Sequence, residues 1–152
     1  MRRIIYTRPD GGLCVVHPVR NTVGETLRTD KEIEQRAFGK LPSDAINPQF
    51  VELNALPLDR TFRNAWKQNG SLVGHDMGKA RDIHRDALRF LRKPKLEVLD
   101  MAYLRADEQG DVAEKARIAA KKQVLRDVTD DPRIEAAQSP EQLKAVMPDI
   151  LK

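Results

Sequence analysis

The spacing of the apolar residues changes once along the chain, close to Asp76, and this change divides the sequence into two parts. Before Asp76 the apolar residues stand in short alternating runs between Pro, Asp and Gly, a pattern typical of β-strands. After Asp76 they recur at three- and four-residue steps, the period of an amphipathic helix. The sequence therefore predicts an α+β fold with a β-rich part at residues 1–75 and a helical part at residues 76–152. No linker-like tract separates the parts, so we expect one domain over residues 1–152.

Two β-hairpins are predicted in the first part, and together they form a small antiparallel sheet. Residues 3–7 and 13–17 are rich in β-branched residues and flank an Arg-Pro-Asp-Gly-Gly turn. Residues 61–66 and 71–73 flank Gln68-Asn69-Gly70, and Asn-Gly is one of the strongest short hairpin signals.

One helix and one further strand are expected between the two hairpins. Thr29 and Glu32 have the spacing of a capping box, which opens a helix that runs to about Phe38 and stops at Gly39. Residues 50–56 are a candidate strand.

Pro94 interrupts the longest helical pattern of the second part. The apolar stripe before it consists of Ala80, Ile83, Ala87, Leu88 and Leu91, and the stripe after it consists of Leu96, Leu99, Ala102, Tyr103 and Ala106. On one straight helix the two stripes would point about 60–90° apart, and the combined stripe would run onto the basic face. We therefore expect the helix to be kinked or broken at Pro94.

A second long helix is predicted to return antiparallel to the first, which completes a helical hairpin. It follows Gln109-Gly110-Asp111, runs over about residues 112–128, and is expected to bury Val112 with three small residues. These small residues are Ala116, Ala119 and Ala120. Ser139-Pro140 then opens a short final helix.

The residue patterns of catalytic, metal and cofactor sites do not occur in the sequence. Cys14 and His17 stand three apart in a predicted strand, so their side chains face opposite sides. His84 lies at the edge of an apolar stripe, where a histidine commonly closes a core. No glycine run is followed by the Lys-Ser/Thr of a phosphate-binding loop. We therefore expect no catalytic residue, no metal and no cofactor, and we expect that the chain is not an enzyme.

A window of seventeen residues carries more positive charge than the whole chain. Residues 79–95 hold seven basic and two acidic side chains, for +5, whereas the net charge of the chain is +4. Their cations Arg81, Arg85, Arg89, Arg92, Lys93 and Lys95 are the candidate partner-binding residues. The four arginines follow one another at steps of four, four and three, which places them on one helix face. Such a row could be a solvated face, could bind an acidic protein, or could follow a nucleic-acid backbone.

Two segments of the chain have a distinctive order of residues. They are the stretch Leu58-Asp59-Arg60-Thr61-Phe62-Arg63-Asn64-Ala65-Trp66-Lys67 and the stretch His75-Asp76-Met77-Gly78-Lys79-Ala80-Arg81-Asp82-Ile83-His84-Arg85. With Lys121-Lys122-Gln123-Val124-Leu125-Arg126-Asp127-Val128-Thr129 and Ser139-Pro140-Glu141-Gln142-Leu143-Lys144, they resemble small uncharacterised proteins of proteobacterial phages and prophages that are encoded near tail genes. The resemblance covers about residues 58–147.

This resemblance implies a structural or assembly protein of the phage tail or tail fibre, which binds another phage protein with an acidic surface. The alternative is a nucleic-acid-binding accessory protein that uses the basic helix at residues 79–95. The single cysteine does not indicate an oxidising compartment, and no apolar run approaches the roughly 18 residues that span a bilayer. We therefore expect the bacterial host cytoplasm as the location, with no membrane partner; incorporation into the virion and the oligomeric state stay open.

Overall fold

The structure, a computed structural model, describes residues 1–20 and 28–152 and has the predicted α+β fold. It divides into two compact units, Met1–Asp76 and Met77–Lys152. We call them the sheet unit and the helical unit. The boundary lies one residue from the position at which the apolar spacing changes. That the chain is a single domain stays a prediction.

The first hairpin of the sheet unit is confirmed. Strand β1 (Arg3–Thr7) pairs antiparallel with β2 (Leu13–Val16) on one side and with β3 (Ile46–Val51) on the other. β1 is the central strand, with a paired strand on each edge, and its successive residues Ile4, Ile5 and Tyr6 are all buried. Ile5 packs with Val51 and Leu56 at the core of this unit.

The third strand begins earlier than the sequence indicates. It ends at Val51, and Leu53–Ala55 form a 3-10 turn, so the predicted strand at residues 50–56 is wrong over its second half. Pro48 lies inside β3, where its missing N–H is tolerated because β3 is an edge strand. Asn47 has φ +51° where the register between β1 and β3 shifts.

Helix α1 (Asp30–Phe38) opens with the predicted capping box. The Glu32 amide donates to the Thr29 hydroxyl (3.4 Å), and the Thr29 amide donates to the Glu32 carboxylate (2.8 Å). A buried carboxylate fastens the helix to the start of β1, since Glu34 accepts from both the backbone amide and the guanidinium of Arg2.

The second hairpin is confirmed with a shifted boundary, but it forms a two-stranded sheet of its own and not one sheet with the first hairpin. Strand β4 (Trp66–Asn69) pairs antiparallel with β5 (Leu72–His75), and the two-residue turn has Gly70 at φ +60°. The predicted strand residues 63–65 instead form a 3-10 turn. The Gln68 amide donates to the Asn47 carbonyl (2.9 Å), which ties this hairpin to the three-stranded sheet.

The helical unit begins with α2 (Met77–Glu108), which runs through Pro94 without a break. Its fully covered residues are Ala80, His84, Leu88 and Ala106, with half-buried residues between them. Ala87 and Leu91, which we expected in the core, are exposed. The inward side of α2 instead includes three residues of the arginine row, Arg81, Arg85 and Arg92, which are half-buried.

Helix α3 (Val112–Asp127) returns along α2 after a turn with Gly110 at φ +70°, which completes the predicted hairpin. Ile118 and Leu125 are its buried residues. The expected inner face was wrong: Val112, Ala116, Ala119 and Ala120 are exposed.

The end of the chain folds onto the hairpin in short pieces. A 3-10 turn (Val128–Asp130), α4 (Pro132–Ala136), α5 (Pro140–Lys144) and a last 3-10 turn (Asp149–Leu151) follow one another. Ser139 caps α5 as predicted, since its hydroxyl accepts from the Gln142 amide (3.2 Å). Ile134 and Leu143 are fully buried. Among the described helices, none has a stretch long and apolar enough to cross a bilayer.

Candidate functional site

The first two arginines of the basic helix point to the end of the chain, not to solvent. Arg81 donates to the carbonyls of Ile134 (3.1 Å), Glu135 (3.2 Å) and Ala137 (3.0 Å). Arg85 donates to the carbonyl of Thr129 (3.3 Å) and to the Glu135 carboxylate, and this pairing raises the pKa of the guanidinium and lowers the pKa of the carboxyl. Both side chains bind the segment around α4.

Two further cations of the row have the same kind of partner. Arg92 donates to the carbonyls of Arg126 (2.5 Å) and Leu125 (3.4 Å), in the last turn of α3. Lys95 donates to the carbonyls of Ile150 (2.9 Å) and Lys152 (3.3 Å). We call Arg81, Arg85, Arg92 and Lys95 the carbonyl clamp.

The carbonyl clamp has a simple physical basis. The last carbonyls of a helix lack intrahelical donors, and the C-terminal end of a helix favours a nearby cation. The segment from Leu125 to the end of the chain contains several such ends in close succession. The clamp satisfies these carbonyls from one side of α2, which fastens the segment to the long helix.

Only two of the six candidate residues remain directed to solvent. Arg89 has half of its side chain exposed and pairs with Asp86 (2.6 Å), one turn earlier on the same helix. Lys93 is exposed. A contact surface on this helix would therefore rest on Arg89 and Lys93, and the same holds for the nucleic-acid alternative at residues 79–95.

A second stripe of α2 is apolar and exposed. Its exposed residues include Phe90 (78% exposed), Leu91, Val98 (69% exposed) and Met101. Together with Pro94 they fall within an arc of about 100° on the helix surface. Scattered apolar residues are common on protein surfaces, whereas a continuous stripe on one helix is typical of an interaction surface.

A groove of about 510 Å³ adjoins this stripe. Pro94, Val98 and Leu99 of α2 form one side, and Lys121 and Leu125 of α3 form the opposite side. Lys95 and Ile150 complete the lining. Five of the seven lining residues are apolar, two are lysines and none is acidic. We call this the α2–α3 groove.

The two lysines make the charge of the groove lining positive. Lys121 is exposed on α3, while the Lys95 ammonium donates to two carbonyls. An apolar ligand segment with acidic flanking residues would match this lining.

The sequence analysis missed the α2–α3 groove. Leu91 and Leu99 were assigned to the core stripes, and the sequence cannot distinguish an apolar residue of the core from an apolar residue beside it. A usable signal did exist: Phe90, Pro94, Val98 and Met101 recur at four, four and three residues, on a face distinct from that of Leu88.

His84 and Cys14 both lie in contact with other parts of the fold. His84 is buried, and its Nε2 lies 2.9 Å from the Val146 carbonyl. Cys14 lies half-buried on β2, where its interaction with the Tyr6 hydroxyl raises the pKa of the tyrosine. Among residues 1–20 and 28–152, no three His, Cys, Asp or Glu side chains are grouped so that they could hold a metal ion.

Comparisons of the chain with protein-family models, with curated proteins and with solved structures found no match. The resemblance of residues 58–147 to small phage proteins therefore stays a prediction.

Proposed function

We propose that the chain is a protein-interaction module without catalytic activity, and that its α2–α3 groove binds an acidic amphipathic helix of another protein. The groove carries this proposal, because it combines an apolar lining with two lysines and continues into the exposed stripe of Phe90 and Val98. An amphipathic helix places its apolar face in such a groove with anchors at three- and four-residue steps.

The charge of the groove supports an acidic partner. Lys121 is exposed on the α3 wall of the groove, so a carboxylate on that edge of a bound helix would meet its ammonium group. The outward cations Arg89 and Lys93 belong to the same helix as the stripe and add to its positive potential. Complementary charge of this kind accelerates association and selects the partner more than it adds affinity.

The predicted resemblance gives this proposal a biological setting. A phage or prophage protein encoded near tail genes would bind a tail or tail-fibre protein during assembly, in the cytoplasm of the bacterial host. A role as an assembly factor and a role as a virion component both require such a contact.

A charge placed in the groove tests the proposal. We expect Val98→Asp to weaken binding of the partner about tenfold or more, because an unpaired carboxylate would be desolvated among apolar groups. Val112→Asp is the matched control, since Val112 is equally exposed but lies on α3 outside the groove. Thermal unfolding followed by circular dichroism should show that both variants keep the fold.

Site-specific photo-crosslinking in phage-producing cells identifies the partner. A photoreactive residue at position 98 should crosslink to an acidic helical segment of a phage-encoded protein, and the same residue at position 112 should not. Equal crosslinking from both positions, or none from position 98 through the whole assembly period, would contradict the proposal.

A further inference from the structure

The sheet unit contains a polar pocket of about 300 Å³ that the function proposed above does not use. Arg8, Arg63 and Asn64 line it, together with residues 12–15 of the first hairpin. Arg8 stands in the hairpin turn, which two backbone hydrogen bonds of 2.8 Å close between Arg8, Gly11 and Gly12. Arg63 and Asn64 belong to the 3-10 turn that precedes β4. Both sides of the pocket therefore come from ordered backbone.

Three further arginines of the sheet unit, besides Arg8, have no carboxylate partner within the described part of the chain. Arg60 and Arg63 are exposed, and neither forms an ion pair within the described part of the chain. Among the described residues, Arg3 donates to the Met1 carbonyl (3.3 Å), and its buried Nε has no acceptor there. Arg8 has one exposed partner, Asp10, at 3.4 Å. This differs from the helical unit, where the clamp cations are already bound to carbonyls.

His17 reports the positive potential of this surface. Its pKa is lowered first by partial burial of the ring and then by the charges of Arg3, Arg60 and Arg63. Three arginines therefore act on one imidazole that lies at the end of β2.

We propose that this surface, which we call the sheet-unit arginine patch, binds the phosphodiester backbone of duplex DNA. Guanidinium groups suit phosphate oxygens because their planar fork donates two parallel hydrogen bonds. The pocket has room for one phosphate group between Arg8 and Arg63, and Arg3 and Arg60 leave further charge for neighbouring phosphates. A polyanion therefore fits the patch better than a single phosphate does.

The aromatic residues favour a duplex over a single strand. In the described part of the sheet unit Tyr6, Phe62 and Trp66 are buried, and Phe38 and Phe50 stack on each other with centroids 5.0 Å apart. Proteins that bind single strands rely on exposed rings for base stacking. Contacts limited to phosphates position a protein on DNA without reading its sequence.

Proton linkage gives an additional signature: bound phosphates would offset the arginine charges, so the pKa of His17 should rise on binding. Affinity should then increase as the pH falls through the pKa of His17.

Fluorescence anisotropy with short labelled duplexes of two unrelated sequences tests the proposal. The wild-type chain should bind both equally, and affinity should fall steeply between about 50 mM and about 200 mM salt. Arg60→Gln and Arg63→Gln should each weaken binding about tenfold and reduce the salt slope by about one. Arg89→Gln is the matched control, because Arg89 is an exposed arginine of the helical unit, and it should leave both quantities unchanged.

Other results would contradict DNA binding by the sheet-unit arginine patch or assign the patch to another ligand. The inference is wrong if no duplex binds at about 50 mM salt. It is also wrong if binding survives both sheet-unit substitutions, or if Arg89→Gln is the variant that loses it. Equal affinity for polyglutamate would assign the patch to an acidic protein, and tighter binding of a single strand would contradict the argument from the buried rings. Circular dichroism melting of each variant separates loss of the surface from loss of the fold, and the Val98→Asp variant should still bind DNA because its groove lies in the helical unit.

Discussion

Two arginines of the same helix, Arg81 and Arg89, show how little a residue type reveals about its role. Both were predicted to face a partner, yet Arg81 donates to three carbonyls and Arg89 pairs with a neighbouring carboxylate. The sequence could predict local contacts, such as the capping box of Thr29 and Glu32, because both partners stand within one helical turn. The acceptors of Arg81 stand more than fifty residues away, and backbone carbonyls leave no mark in a sequence.

This difference between the two arginines predicts a difference in stability. We expect Arg81→Met to lower the free energy of unfolding by about 2 kcal/mol, since it keeps the aliphatic stem but leaves carbonyls at the end of α4 without a donor. Arg89→Met should change it by less than about 0.5 kcal/mol, because an exposed pair on a helix surface contributes little. Urea unfolding followed by circular dichroism measures both values. Equal effects of the two substitutions would refute the structural role of the clamp.

Among the secondary-structure elements, the sequence predicted correctly those that its own turn and cap residues define. It placed wrongly those whose bounds depend on tertiary contacts. The hairpins, α1, the α2–α3 hairpin and α5 carry their own turn or cap residues, and each was found. Pro94 was taken as an interruption, but it lies inside the long α2 helix, and Pro48 lies inside an edge strand. Whether a proline can be tolerated depends on which backbone groups around it need a partner, and the fold decides this.

Helix α1 is fastened to the sheet by one buried carboxylate, and this attachment predicts a dependence on pH. The guanidinium and backbone amide of Arg2 hold the pKa of Glu34 below its usual value. The stability from this pair is therefore fully present above the ordinary glutamate pKa, and it is lost as the pH falls through the lowered value. Glu34→Gln should cost about 3 kcal/mol at neutral pH, and this cost should shrink as the pH falls below about 4.

Denaturant midpoints for the wild type and Glu34→Gln across this pH range measure the effect. Glu52→Gln provides the control, because Glu52 is an exposed carboxylate of the same unit. A difference between wild type and Glu34→Gln that stays constant down to pH about 3 would show that the ion pair is not its source.

For the whole molecule, the cations without an ion-pair partner do not coincide with the most basic segment of the sequence. Residues 79–95 carry +5, but four of their cations bind carbonyls of the same unit. Residues 1–78 carry only +2, and yet Arg60 and Arg63 have no ion-pair partner in the described part of the chain. The net charge of a sequence window includes every charged side chain, whereas binding depends on the side chains that still lack a partner after folding. The two proposals therefore assign an acidic helix to the helical unit and DNA to the sheet unit.

Whether the two units unfold together can be measured, because each unit has its own spectroscopic signal. Trp66 is the one tryptophan and lies in the sheet unit, while α2 and α3 contribute most of the helical circular dichroism from the helical unit. Asp76 alone separates β5 from α2, and its amide donates to the Ala65 carbonyl (2.7 Å), so the start of the long helix continues directly from ordered backbone. If the chain is a single domain, as its sequence predicts, fluorescence and circular dichroism should report the same denaturant midpoint. Glu34→Gln should then shift both signals equally, although Glu34 belongs to the sheet unit; a shift confined to Trp66 fluorescence would show two domains instead.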